Sequence, residues 1–169
     1  MKRITLAFFV LMVISVGASA QNYSFKKYRH APFQHLEFDI LDKWQPVQNG
    51  LEVVFTDEEN NLPQLFFQTI EKTKYFNDSI SFLAFLTTQK PLNDYQNVKS
   101  IQAGAFQGMS YEYVESNSTN LYEHGLIIDV GEGIVFFYLK TETKDKYINE
   151  YKSSLHPIIE RLRASFDFR

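Results

Sequence analysis

Six consecutive apolar residues, Ile134-Val135-Phe136-Phe137-Tyr138-Leu139, constrain this chain more than any other stretch. Strand side chains alternate between two faces, so an unbroken run leaves neither face for water. With Gly131-Glu132-Gly133 in front of it, the run reads as the second arm of a long β-hairpin, Leu121 to Lys140, through the middle of a sheet. Half-buried antiparallel strands alternate instead, as Met109 to Glu115 partly does. A strand dry on both sides needs cover on both sides, and two helical patterns are present to supply it. The fold class predicted is α+β: an antiparallel β-sheet with helices on both faces.

The first helical pattern has Ile80, Leu83, Ala84 and Thr87 at helical spacing, with Phe82, Phe85 and Leu86 widening the apolar side as in a well-covered helix. Asn77, Asp78 or Ser79 can cap it, and Pro91 stops it. The second runs from about Lys144 to Phe166, where Tyr147, Tyr151, Leu155, Ile158, Leu162 and Phe166 form one stripe. Pro157 lacks an N–H and clashes with the carbonyl of Ser153, which predicts a kink or a break. The regularity of the stripe favours a single docked helix.

Strands account for most of the rest. Leu36 to Ile40 alternates, with His35, Glu37 and Asp39 on its polar side. Leu41 to Pro46 is a turn that delivers the only tryptophan, Trp44. Asn49-Gly50 turns the chain into Leu51–Phe55, and an acidic tip at Asp57 to Asn61 leads to Leu65–Ile70. A strand from about Val98, loosened by Gly104, precedes Met109–Glu115, and Asn117 to Asn120 turns it into Leu121–Val130.

The N-terminus belongs to none of this. Lys2 and Arg3 precede an apolar core, Ile4 to Val16, and Ala18-Ser19-Ala20 is the small-x-small pattern that signal peptidase reads. Residues 1–20 therefore read as a cleavable signal peptide with Ala18 and Ala20 at the cut, the other reading being an uncleaved anchor. With no Cys after the apolar run, no lipid is attached there. The protein is expected to be secreted or periplasmic, with no transmembrane span once the signal is removed. Residues 21–33 are a polar lead-in, expected to be partly disordered or loosely docked. Residues 34–169 form a single α+β domain.

A mature chain of 149 residues can bury roughly 70% of its unfolded surface and needs no staples, which agrees with the absence of Cys. Without Lys2 and Arg3 the 17 basic residues fall to 15 against 20 acidic, a balance of −5. Scattered charges of that sign offer nucleic acid no generic attraction.

The order of strands, helix, strands and long C-terminal helix comes with Phe38-Asp39-Ile40-Leu41-Asp42-Lys43-Trp44 near the start and Ser165-Phe166 at the end. It resembles the PsbP-like superfamily, which includes the photosystem extrinsic subunit PsbP and the bacterial DcrB and LpqN proteins. Those open with a strand, a Pro-x-Gly-Trp turn and a second strand. Here Leu41-Asp42-Lys43-Trp44 stands in that place without its Pro and Gly. The resemblance implies an antiparallel sheet between helices and mostly non-enzymatic roles in binding and assembly. It carries no catalytic residues to transfer.

Candidate chemistry is sparse. His35, Glu37 and Asp39 offer one imidazole and two carboxylates, but same-face neighbours on a strand sit ~7 Å apart, so the plainer reading is a solvated face. Asp57, Glu59 and Asn61 imitate the start of a calcium loop whose sixth and twelfth positions, Leu62 and Gln68, do not fit. His124 and Asp129 can be drawn with a serine as a triad, yet no nucleophile elbow or other catalytic signature supports them. No metal or cofactor is expected. Asn22, Asn77 and Asn117 begin Asn-x-Ser/Thr triplets, relevant only in a glycosylating host.

Tyr111, Tyr113, Tyr122 and Tyr138 suggest an aromatic surface on neighbouring strands, suited to protein contacts, with sheet packing as the plainer alternative. The function expected is a non-catalytic exported module acting through a protein surface, its partner another envelope or secreted protein. The alternative is a binder of a small apolar ligand or lipid, in a pocket between the sheet and the C-terminal helix lined by Tyr147 and Tyr151. A hydrolase stands third.

Overall fold

The run Ile134–Leu139 lies in the central strand of a seven-stranded antiparallel sheet. The computed structural model describes residues 23–30, 36–57, 63–89, 95–115, 120–143 and 148–168. In chain order the elements are β1 (Phe25–Arg29), β2 (Leu36–Leu41), β3 (Gln45–Asn49), β4 (Glu52–Thr56), β5 (Gln64–Glu71) and α1 (Ser79–Gln89). They continue with β6 (Tyr95–Ala103), β7 (Phe106–Glu115), β8 (Asn120–Asp129), β9 (Gly133–Thr143), α2 (Ile148–Ser165) and β10 (Asp167–Phe168). The large sheet has the order β3-β4-β5-β9-β8-β7-β6, and β1-β2-β10 form a second, three-stranded sheet. The chain thus has the α+β architecture, mostly antiparallel sheet with a helix on each face of the large sheet.

Odd-numbered residues of β9 face one layer. Val135, Phe137 and Leu139 join Leu126, Ile128, Phe67 and Phe55 beneath α2 and the small sheet. Phe38 of β2 meets Phe137 at 4.8 Å and Phe67 at 5.3 Å, edge-on or tilted as aromatic pairs prefer. Leu155, Ile158, Ile159, Leu162 and Phe166 seal the same layer. Helix α2 runs unbroken through Pro157, whose ring is exposed, so the missing N–H lies on the solvent side. Lys152 reaches Glu112 of β7 at 2.7 Å and Arg161 reaches Asp39 of β2 at 2.6 Å, fixing the helix to both sheets.

Three expectations fail here. The lead-in 21–33 is not loosely docked where it is described, because β1 pairs with β2 from Phe25↔Leu41 to Arg29↔Glu37. Its Phe25 and Tyr28 pack on the core, and Arg29 and Lys27 pair with Glu37 and Asp39. For the same reason the polar side of β2 is no solvated face: Asp39 is 6% exposed, held by Lys27 at 3.0 Å and by Arg161. The turn expected over Leu41 to Pro46 ends sooner, since Gln45–Asn49 is an edge strand.

The turns are also displaced slightly. Gly50-Leu51, with Gly50 at φ 63°, closes the β3–β4 hairpin, and Asn49 is already paired with Glu52. Gly104 does more than loosen a strand. It turns β6 into β7 at φ 56°, and a Cβ there would sit 2.2 Å from the Phe166 carbonyl oxygen.

Candidate binding face

The opposite layer is covered only in part, and arithmetic says why. Seven strands spaced ~4.8 Å place the outer two about 29 Å apart. Helix α1 has 11 residues, about 16 Å long and 10 Å wide with its side chains. It packs Phe82 and Leu83 onto Tyr111, Tyr113, Ile127, Ile134 and Phe136, over β7, β8 and β9. Strands β3, β4 and β5 are left without a helix above them.

One cross-strand row shows the consequence. The register aligns Val47, Val54, Phe66, Tyr138, Gly125 and Tyr111, so all six share the α1 face. Tyr111, under α1, is 1% exposed, whereas Val47 at the far end is 52% exposed. Between them Phe66 stacks on Tyr138 at 4.5 Å with the rings 2° from parallel, both half-buried. The Tyr138 hydroxyl donates to Glu52 Oε1 at 2.7 Å. Burial and that carboxylate raise its pKa far above the usual value, so it stays a neutral donor.

Beside α1, at the end of β5 and β9, there is a cleft of about 810 Å3 lined by Ile70, Phe76, Phe82, Phe85 and Ile134, by Glu71 and Glu132, and by Val135 and Phe168 from the other layer. The helix itself carries no charged residue, and Ile80 and Phe85 are 64% and 42% exposed. The sequence therefore misleads in reading α1 as well covered: its apolar side chains point both into the sheet and away from it. Asp78 caps it, accepting the Ser81 N–H at 2.7 Å, and the bonds from Ser81 hold that carboxyl below its ordinary pKa. Tyr75, just before the cap, is 74% exposed.

The sheet edges invite no added strand. Pro46 on β3 has no N–H to offer an incoming chain. Strand β6 is broken by a bulge between Gln96 and Lys99, with Asn97 at φ 51°.

The tyrosines proposed as a surface do not make one. Tyr111, Tyr113 and Tyr122 are 1%, 3% and 1% exposed. Tyr111 lies against Gly125, where a Cβ would come within 2.1 Å of its ring, and donates to Glu123 Oε1 at 2.6 Å in the interior. Burial first, and Glu123 second, push its hydroxyl pKa well up. Tyr122 sits on the other layer, under the Lys152 ammonium. Only Tyr138 of the four reaches the open face. Tyr147 and the side chain of Tyr151 lie outside the described residues, as do Ala18, Ala20, His35, Glu59, Asn61, Asn22 and Asn117.

Beneath α2 a smaller polar recess gathers Glu112, His124, Lys152 and His156 around about 410 Å3. His124 Nε2 lies 3.0 Å from Ser110 Oγ, and burial lowers the imidazole pKa to about 4. Asp129 does not complete a triad. It lies five residues along the same strand, on the opposite face, ion-paired to Lys72 at 2.8 Å. Burial pushes Glu112 up, but hydrogen bonds from Lys152 and Asn97 outweigh it and hold the carboxyl low. Ser110 is 2% exposed, closed to a substrate. Among the described residues no three His, Cys, Asp or Glu side chains are grouped to hold a metal ion. Nor is any helix among them long and apolar enough to cross a membrane.

No family model and no curated protein matches the sequence. Solved structures do match. The Ran-binding protein Mog1p of Saccharomyces cerevisiae superposes with a TM-score of 0.60 at 8% identity, over 85% of this chain and 95% of that one. The cyanobacterial PsbP of Synechocystis gives 0.56 at 16% identity, over 88% and 96%. A protein from Bacteroides thetaiotaomicron gives 0.56 at 13% identity, over 85% of this chain and 48% of that one. At these identities the likeness is one of backbone architecture, and in that sense the chain has the PsbP-like fold.

Proposed function

We propose that this chain is an exported, non-catalytic binding or assembly module whose protein partner docks on the half-covered face of the large sheet. The observation that carries the reading is α1: an uncharged helix with Ile80 and Phe85 exposed, beside a half-buried floor of Val54, Phe66 and Tyr138 that runs out to the exposed Val47 with no helix among the described residues above β3 and β4. A helix apolar all round is normally buried on all sides, and patches of this kind mark interaction surfaces. Export rests on Ile4–Val16 and Ala18-Ser19-Ala20, and places the partner in the envelope or outside the cell. That a similar fold occurs in a Ran-binding protein is compatible with a protein partner.

The test is capture of partners from the native envelope by tagged protein, wild type against Phe85→Asp. A partner retained by wild type and lost by the variant is the expected result. A partner held equally by both would move the docking surface elsewhere. The intact mass of the exported product should begin at Gln21.

The cleft of about 810 Å3 supports a second reading, since ligand sites commonly span ~300–1,000 Å3. In it a small apolar ligand or lipid lies beside α1, not under α2 where Leu155, Ile158 and Leu162 close the core. Recovery of a stoichiometric apolar molecule by organic extraction of the purified protein would favour it.

A further inference from the structure

We infer that the segment received by this face is an amphipathic α-helix bearing Lys or Arg at one end, laid beside α1 to complete the helical layer. The inference rests on the docking face proposed above and specifies its occupant. Three observations carry it.

Width comes first. From Val47 on β3 to Tyr138 on β9 the open floor spans three strand spacings, ~14 Å, and a helix with its side chains is ~10–12 Å across. One helix fits; two do not. Phe85, Leu86 and Phe76 form the wall against which its flank would rest.

The edges come second. An extended peptide binds a sheet by adding to an edge, using backbone N–H and C=O groups as in strand addition. Here one edge has Pro46 and the other a bulge at Asn97. On the large sheet a partner is left with the face, and a face offers side-chain contacts only. A helix satisfies its own backbone bonds and so can lie there; a bare extended segment cannot without losing hydrogen bonds to water.

Charge comes third. Glu71 and Glu132, both exposed, line the hairpin end of the cleft, and the Glu52 carboxylate lies on the α1 face of β4, bonded to Tyr138. The nearby Lys72 is engaged by Asp129 at 2.8 Å and does not offset them. An acidic rim on an apolar cleft favours basic residues flanking an apolar stripe.

The test titrates the purified protein with three synthetic 18-residue peptides. One carries Leu and Phe at i, i+3, i+4 and i+7 with Lys in its terminal turn. The second replaces those Lys by Glu, and the third scrambles the first. Amide shifts are read at Val47, Val54, Phe66, Ile70 and Phe85, and affinity is measured at low and high salt. The Lys helix should shift these residues and bind at least tenfold tighter than the other two. Charge reversal by E71K with E132K, both at exposed positions, should remove that preference while the spectrum stays dispersed. Equal binding of the Lys and Glu helices at the face would overturn the basic-end assignment while leaving the docking face intact. Equal binding of the scrambled peptide would overturn the helix. Shifts at these residues from phosphatidylcholine vesicles and none from any peptide would replace the helix by a lipid surface. Shifts confined to other residues would remove the docking face itself.

Discussion

On the α2 side of the sheet, Phe137 meets Phe38 at 4.8 Å and is fully buried. On the α1 side, Phe66 meets Tyr138 at 4.5 Å and then solvent. The first pair meets edge-on at 82° between the two sheets and the second stacks at 2° across β5 and β9, yet their separations are similar, so the difference in burial is one of cover. A complete second layer, helix plus small sheet, turns aromatic residues into core. An 11-residue helix over seven strands cannot do the same, and the uncovered remainder stays available to another molecule. On the proposed function, stability and recognition are assigned to opposite faces of the same strands.

The largest expected effect sets those faces against each other. Phe137→Ala should cost about 3–5 kcal/mol in urea unfolding, as truncation of a closed aromatic core does, and Phe66→Ala about 1 kcal/mol. Equal losses would mean that the α1 face is as closed as the other.

Acid should act through the α2 side. The His124 pKa falls from 6.5 to about 4, chiefly by burial, with Lys99 and His156 adding to the effect and Glu112 and Glu160 opposing it. Between those values the unfolded chain binds a proton that the folded chain refuses, so stability falls as pH drops from 6.5 towards 4. The loss attributable to this residue builds to roughly 3 kcal/mol and levels off below its folded pKa. Urea midpoints of wild type and His124→Asn, compared at pH 7 and pH 4.5, isolate it. Parallel slopes would show that the imidazole is not buried in the folded protein.

Gly104→Ala should destabilise by about 2 kcal/mol, since it combines a left-handed φ of 56° with a contact on the Phe166 carbonyl. That change probes the seam where the β6–β7 turn meets the end of α2. The smallest stability effect belongs to the recognition face. Phe85→Ser should shift stability by no more than about 0.5 kcal/mol while weakening partner capture. A large loss of stability would instead make Phe85 part of the fold.

Much of the closed side was legible in advance. An apolar run without alternation points to a central strand, and the regular stripe Leu155, Ile158, Leu162, Phe166 favoured a docked helix over one broken at Pro157. What escaped was decided by neighbours distant in sequence. Tyr111 and Tyr113 alternate with polar residues, so their own strand says which positions share a face but not which face receives a helix. Gln45–Asn49 escaped because a polar, proline-bearing edge strand has little local signature. The open face did leave a mark, the absence of any charge in Ser79–Gln89, which reads equally well as complete burial until the width of the sheet is known.

The small sheet carries a further consequence. Strand β2 has β1 on one side and β10 on the other, so the two ends of the folded chain lie on one plate, across the large sheet from the docking surface. A tether ahead of Phe25 leaves from the molecule's back, whereas Phe168 also lines the cleft beside α1. Fixed to a support through β1, the protein presents α1 and its neighbouring strands outward, as a palm faces away from the wrist.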